Sequence, residues 1–155
     1  MLWLIIIIIS VGIDQIVKFV IESKIKYGSS IPVIENFFYL SHHKNSGAAW
    51  SFLSEYDWSV NFFIVVTSIV CVILIYFLFK AHHRLLNFSL SLLIGGAIGN
   101  LIDRIVKGNV TDFIEFHFGS YIFPVFNIAD MCVVIGTIFL AIYMLFVHKE
   151  PEKEN

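Results

Sequence analysis

Charge is the scarcest resource in this chain. Asp, Glu, Lys and Arg make up 14% of its 155 residues, against about a quarter in a soluble domain. So thin a supply cannot keep 58% apolar residues, 16 of the chain being phenylalanine, in water. That excludes an ordinary soluble globule and leaves an integral membrane protein of one domain. A basic excess is missing too: the formal net charge is −2, so there is no electrostatic footprint for nucleic acid. Cysteine is limited to Cys71 and Cys132, both inside apolar runs. Neither pairing nor spacing fits a disulfide framework or a zinc site, and both read as small apolar filler. No Lys or Arg precedes the apolar start MLWLIIIIISVGI, and no small-residue cleavage site follows it. This stretch is therefore expected to open a retained span rather than to be a secretory signal. HExxH and GxSxG motifs are absent, and so is an internal repeat of the kind many transporters carry.

What is present is long apolar runs. About 20 apolar residues in a helix cross the ~30 Å hydrocarbon core. Residues 59–79 do so without a single charge. LLNFSLSLLIGGAIGNLI, 85–102, belongs to a span reaching about residue 106, and IADMCVVIGTIFLAIYMLFV occupies 128–147. A first span, about 2–22, is interrupted by Asp14 and Lys18. The prediction is a mainly α membrane protein with four transmembrane helices, the middle two joined by a tight reversal at KAHHR. Four crossings put both longer excursions, about 23–58 and 108–126, on one face. Both termini and the KAHHR linker fall on the other. Lysines and arginines flank both faces about equally, so charge counting does not orient the bundle.

The first excursion, with Gly28, Pro32, aromatic pairs and NSGAAW, suggests short strands and a small amphipathic helix at the membrane surface. Trp50, Tyr56 and Trp58 suit a lid-like helix at the interface. In the second, alternation in VTDFIEFHF suits a strand, and Gly119-Ser120 a two-residue hairpin turn.

Ionisable residues inside spans are costly and draw functional suspicion. Asp14 and Lys18 stand four apart and suit a structural ion pair. Asn100, Asp103 and Arg104 share one stripe at the end of the third helix. That stripe suits helix termination and a site role equally. Gly95 and Gly99 form a small-xxx-small pair for close helix packing. At the entrance to the fourth span, Asn127 is a favoured N-cap, and Asp130 three residues later can close a capping box.

Capping does not exhaust Asp130. If Gly119-Ser120 is the turn, Phe118 pairs with Tyr121, and counting outward sets Asp112 opposite Asn127. A bulge at Pro124 would shift that register by one residue. Asp130 lies one helical turn further on, about 4.5 Å along the axis. Two carboxylates converging in a low-dielectric site hold one proton between them. Such a pair suits amide hydrolysis, one acid activating water and the other donating to the substrate. Two rival readings are a transporter or channel subunit using buried charge, and a metal hydrolase using Asp112, His117 and Asp130. For the latter, three mixed residues make a weak ligand set.

The motifs DQIVK (14–18), KNSGAAW (44–50), GNLIDR (99–104), VTDFI (110–114) and FNIAD (126–130) stand in the order seen in lipoprotein signal peptidase. The chain resembles this family of aspartic membrane peptidases, bacterial signal peptidase II, over nearly its whole length. The resemblance implies four transmembrane helices in the cytoplasmic (inner) membrane of a bacterium, with both termini cytoplasmic. It also implies an extracytoplasmic β-cradle and a short surface helix. The activity implied is removal of the signal peptide from diacylglyceryl-modified prolipoproteins, on the amino side of the lipidated cysteine. Asp112 and Asp130 are the implied catalytic pair. Implied site support comes from Asp14, Lys18, Asn45, Gly47, Ala48, Asn100, Arg104, Asn127 and Ala129. No cofactor or metal is implied. The expected partners are the lipidated substrate and membrane lipids, with the chain a monomer. Two departures are visible: Lys44 where Arg is usual, and Met131 where Ser is common.

Overall fold

The computed structural model describes residues 2–47, 53 and 56–148. The four spans form where hydropathy placed them: α1 Leu2–Lys24, α2 Ser59–Lys80, α3 Arg84–Lys107 and α4 Ile128–Ile142, with α4 continuing as a π-helical turn Tyr143–Val147. All four are long and apolar enough to cross a membrane. The ends of α1, α2 and α3 run one or two residues beyond the predicted bounds, because Lys24, Lys80, Arg84 and Lys107 extend the helices into the polar boundary. Long cationic side chains favour that placement, since the stem stays in apolar surroundings while the head reaches water.

Helix α3 is the hub, packing on α1, α2 and α4, whereas α2 packs on α3 and stands away from α4. Small residues permit the close approaches. A Cβ on Gly95 would lie 2.8 Å from Ser10 Cβ of α1, and one on Gly99 2.8 Å from Asp14 Oδ2. Gly96 is tighter still, its position lying 2.3 Å from the Ala129 carbonyl of α4. The predicted Gly95/Gly99 pair thus packs as expected on α1, and Gly96 adds the contact that draws α4 in. The lipid-facing sides, such as Phe62, Ile69 and Phe79 of α2 or Val134 and Ile138 of α4, remain exposed. Cys71 and Cys132 are free thiols, as the sequence suggests.

Both excursions leave the bundle at one end and meet in an antiparallel sheet ordered β1-β2-β3-β4. Its strands are β1 Ser30–Ile34, β2 Phe38–Asn45, β3 Val110–Phe118 and β4 Tyr121–Ile122. Gly108, at φ 71°, ends α3 in the left-handed conformation and returns its N–H to the Arg104 carbonyl at 3.1 Å. Glycine suits this position because it lacks a Cβ. It turns the chain directly into β3. Beneath the sheet a small core joins Ile21 of α1 and Ile25, just past its end, to Phe113, with Leu40, Ile114 and Ile128 packed around it.

The Gly119-Ser120 turn is as predicted, with Phe118 opposite Tyr121 and His117 opposite Ile122. The register then slips: Ile114 bridges Phe126, and the Phe126 carbonyl accepts from both Phe113 and Ile114 N–H groups. Pro124, lacking an N–H, lies in the segment where the ladder is interrupted. Asp112 therefore does not face Asn127 by strand pairing, and the two meet through side chains instead. The predicted surface helix falls largely on 48–52, 54 and 55, outside the described residues, as do Trp50 and Ala48.

Candidate active site

The site lies where β3 and the start of α4 meet the end of α3. Asn127 caps α4 in a capping box: its Oδ1 accepts from the Asp130 N–H at 2.9 Å, and Asp130 Oδ2 accepts from the Asn127 N–H at 3.1 Å. The amide nitrogen of the same side chain donates to Asp112 Oδ1 at 2.6 Å and to Asn100 Oδ1 at 3.2 Å. One buried asparagine thus joins both acids. The remaining carboxylate oxygens each have one amide donor: Asn45 Nδ2 to Asp112 Oδ2 at 3.1 Å, and Asn100 Nδ2 to Asp130 Oδ1 at 2.8 Å. These donors are all neutral. They orient both carboxylates while leaving lone pairs for water and for a shared proton.

Electrostatics then separate the pair from ordinary acids. Burial, reinforced by the negative charge of Asp130, pushes Asp112 up to about 7, although the Asn45 and Asn127 donors and the Lys18 charge pull the other way. A carboxyl group in that range can hold a proton near neutrality and release it again, as general acid–base work requires.

A charged network ties this end of the bundle together. Lys18, fully buried, reaches Asp14 at 2.8 Å and Asp103 at 2.9 Å, and donates to Asn100 Oδ1 at 3.0 Å. Asp14 uses its other oxygen to accept the Ala129 N–H at 2.9 Å, a second cap on α4 immediately before Asp130. Asp103 also accepts from Lys107 at 3.0 Å and from the Thr111 N–H at 3.3 Å, tying α3 to β3 just before Asp112. Lys107 and Thr111 both donate to Glu22. The i,i+4 pair of Asp14 and Lys18 is therefore real but is one arm of a larger network. Asp103 is its centre rather than part of a mere helix end. Sequence reasoning missed Gln15, which donates to Asp14, Asp103 and the Gly99 carbonyl. Its signal was its position inside an apolar span, next to Asp14.

Arg104 lies buried beside the pair. Its Nη2 donates to the Gly47 carbonyl at 2.7 Å, and its guanidinium sits 5.2 Å from the Phe63 ring centroid. Gly47 is held in turn by an Asx turn, its N–H donating to Asn45 Oδ1 at 2.9 Å. Of the predicted site residues, Asp14, Lys18, Asn45, Gly47, Asn100, Arg104, Asp112, Asn127, Ala129 and Asp130 come together; Ala48 lies outside the described residues. His117 does not join Asp112 and Asp130. It bonds Glu115 at 2.5 Å and stacks on Tyr39, so the metal grouping considered above is not assembled.

A cavity of about 1040 Å³ opens in the cleft between α2 and α4. Asn100, Arg104, Asp112 and Asp130 line its polar end, while Val66 and Val134 represent the apolar walls. Lys44 and Met131 line it as well. Lys44 holds its ammonium 5.4 Å from the Tyr27 ring centroid, and Met131 is partly exposed. The cleft is thus polar at one end and apolar along the other.

Comparison with known proteins gives a consistent result. A model of the signal peptidase (SPase) II family matches residues 6–146. The lipoprotein signal peptidase of Bacillus pumilus (strain SAFR-032) is 42% identical over 157 residues, covering 100% of this chain and 99% of that protein. That of Geobacillus thermodenitrificans (strain NG80-2) is 42% identical, covering 94% and 89%. A bacterial membrane enzyme solved by the in meso method superposes with a TM-score of 0.85 at 38% identity, covering 97% of this chain and 93% of the other.

Proposed function

This chain belongs to the signal peptidase II family, and from that premise we propose that Asp112 and Asp130 are the catalytic pair with which it removes signal peptides from prolipoproteins. The family is one of membrane aspartic proteases, and the four apolar helices make the chain a multi-pass bacterial membrane protein. The observation that carries the dyad is Asn127. It bonds Asp112 through its amide and Asp130 through the helix cap, so one side chain ties the two acids to each other.

The reaction uses the shared proton. Asp112, which burial and the neighbouring charge keep protonated to about 7, donates to the scissile carbonyl oxygen. Asp130, at the N-terminus of α4 where the helix dipole favours negative charge, takes a proton from water as its oxygen bonds to the carbonyl carbon. Collapse of the tetrahedral adduct breaks the C–N bond. The proton on Asp130 passes to the departing amine, and the carbonyl proton returns to Asp112. The pair ends with one proton, as it began. Arg104 anchors Gly47, just past the end of β2, and Asn45 and Asn100 fix the carboxylate planes. Lys18 and Asp14 position Asn100 and the start of α4.

The substrate bond lies on the amino side of the diacylglyceryl-modified cysteine. Its acyl chains fit the apolar length of the cleft between α2 and α4, and bilayer lipids fill the same boundary. The dyad lies at the end of the bundle where both excursions and the sheet emerge, opposite the termini; with both termini cytoplasmic, as the family resemblance implies, that end is the extracytoplasmic surface of the inner membrane. The described site residues all lie on one chain, which is what a monomer requires.

The test is reconstitution with a lipidated prolipoprotein, following release of the signal peptide by gel shift. Asp112→Asn and Asp130→Asn are each expected to abolish cleavage in a folded protein, and chelator to leave the wild type unaffected. Undiminished cleavage by either Asn variant refutes the dyad. Loss with chelator refutes a metal-free mechanism.

A further inference from the structure

Of the two departures from the family motifs, Lys44 is the charged one, and the reaction just described makes no use of it. It stands in β2 directly before Asn45, which bonds Asp112. In the pairing of β2 with β3, His43 lies opposite Asp112 and Lys44 opposite Thr111. Paired Cα atoms of an antiparallel ladder are about 4.5–5.5 Å apart. Both side chains are therefore mounted one strand away from the dyad, and both line its cleft. Neither is buried.

The charge at this rim is cationic. Among the described residues no acid forms an ion pair with Lys44, whose ammonium rests 5.4 Å from the Tyr27 ring centroid. Arg104, the other strong cation of the cleft, is buried and turned onto the Gly47 carbonyl. His43 Nε2 lies 3.7 Å from Glu115 Oε2, on an acid already bonded by Ser30 at 3.1 Å and His117 at 2.5 Å. Asp112 and Asp130 sit deeper, each carboxylate oxygen taken by a donor. An ammonium at the lip of a cleft with low-dielectric walls draws anionic groups toward it.

The substrate's own polarity says which part of it meets this lip. On the amino side of the scissile bond stands the signal peptide, which is apolar and stays with the membrane. On the other side the lipidated cysteine opens the mature chain, which leaves toward water. The acyl chains take the apolar length of the cleft, so the mature chain departs from the polar end, past β2. An extended chain advances roughly 3.3 Å per residue, which places the second and third mature residues about 7–10 Å from the dyad. That is within reach of a lysine side chain mounted one strand away.

We propose that Lys44, seconded by His43, is a specificity-determining contact for an acidic side chain at the second or third residue of the mature lipoprotein. The proposal rests on the dyad reading, which sets how the substrate lies. Charge rather than a guanidinium fork carries the contact, so lysine serves where arginine is usual.

The test uses the full chain in phosphatidylcholine nanodiscs. Lipidated prolipoproteins are compared that differ only at the second and third residues after the cysteine: both Asp, both Asn or both Lys. In the wild type, kcat/KM is expected to be roughly two- to fivefold higher for Asp than for Asn. The Lys substrate should be slowest, and the gaps should narrow as salt is raised. Each variant is judged by its own Asp-to-Asn ratio, so a general loss of activity does not enter. Lys44→Arg should keep the ratio, and Lys44→Gln combined with His43→Gln should bring it to one. Lys44→Glu should reverse the order in favour of the Lys substrate. A wild-type ratio of one overturns the inference, showing the ammonium engaged elsewhere, by a lipid phosphate or by an acid of this chain such as Asp57. A ratio that survives the double replacement overturns it as well. Binding of diacylglyceryl lipopeptides with the same Asp or Asn residues, which have no scissile bond, is measured in parallel. Absence of cleavage with every substrate refutes the dyad reading alone, and the Asp-to-Asn ratio in binding then decides the contact.

Discussion

Asn45→Ala offers a sharp test of how the dyad is tuned, because its effect on pH dependence runs against intuition. Asn45 is a supporting residue, and its loss should nevertheless extend the alkaline range of the enzyme. Its amide donates to Asp112 Oδ2 at 3.1 Å and favours the ionised form, in a site where Asp112 already titrates at about 7. A hydrogen bond to a charged group is worth about 1.5–3 kcal/mol, and one pKa unit is about 1.36 kcal/mol. Removing the donor therefore raises Asp112 by roughly one to two units. The alkaline limb of kcat/KM, which reports loss of the shared proton, should move from near pH 7 to roughly 8 or 9. Asp130, Arg104 and Lys18, the other charges near Asp112, are unchanged in the variant. The substitution also frees the Gly47 N–H and loosens the segment held by Arg104. That should lower kcat at every pH without moving the limb. His43 lines the same cleft, so the profiles are best compared in a His43→Gln background, where a remaining limb belongs to the dyad. Cleavage of a lipidated substrate at constant ionic strength reads the result. A limb that stays put, or moves to lower pH, refutes the assignment of Asp112 as the proton holder.

Other outcomes follow from the same contacts. Because Asp112 binds its proton more tightly folded than unfolded, its contribution to stability is fully present below about pH 4 and is lost as pH rises through about 7, the shift being from 3.8. Asp112→Asn, inactive, should melt higher than wild type at pH 8 by the equivalent of up to about 4 kcal/mol, and identical melting at pH 8 would refute the strain. Lys18→Met leaves Asp14 and Asp103 buried without their shared cation, and should cost on the order of 3–5 kcal/mol in thermal unfolding; an unshifted midpoint would show that the network bears nothing. Gly96→Ala places a Cβ 2.3 Å from the Ala129 carbonyl, and should cost about 1–3 kcal/mol with a disproportionate loss of cleavage, since Asp130 must move. Gly12→Ala, with open space around it, is the matched control and should be neutral or slightly stabilising.

The spans, the hairpin turn and the α4 cap were legible because each is local. Hydropathy, a turn dipeptide and an N-cap residue three before an acid all act within a few residues of sequence. The convergence of Asp112 and Asp130 was legible for the same reason: a single hairpin separates them. What could not be read was the charged network. Lys18 was visible as the i,i+4 partner of Asp14, yet its contact with Asp103 crosses from α1 to α3, and no period relates the two. Glu22 is far in sequence from Lys107 and Thr111, and only the arrival of β3 beside α1 makes them partners. The slip at Pro124 shows the limit of counting. It foiled the backbone register, and the acids met regardless, because the Asn127 side chain spans the difference.

Capping and catalysis at Asp130 are therefore not rival explanations. The cap occupies Asp130 Oδ2 and the Asn127 Oδ1, leaving Asp130 Oδ1 to Asn100 and the Asn127 amide to Asp112. A second cap, from Asp14 to the Ala129 N–H, fixes the preceding residue. The first turn of α4 is thus held by α1, by its own N-cap and by α3 through Gly96. A carboxylate that must meet a second acid within hydrogen-bond tolerances needs such a rigid mount, and a helix start supplies one because its free N–H groups require partners anyway. The acids that satisfy those groups also carry charge near the dyad, and Lys18 offsets that charge from within the same network. Structural need at a helix terminus and chemical need at the site are met by one set of residues. It follows that Asn127 and Asp14 act on the rate by setting geometry, whereas Asp112 and Asp130 act on it by moving protons.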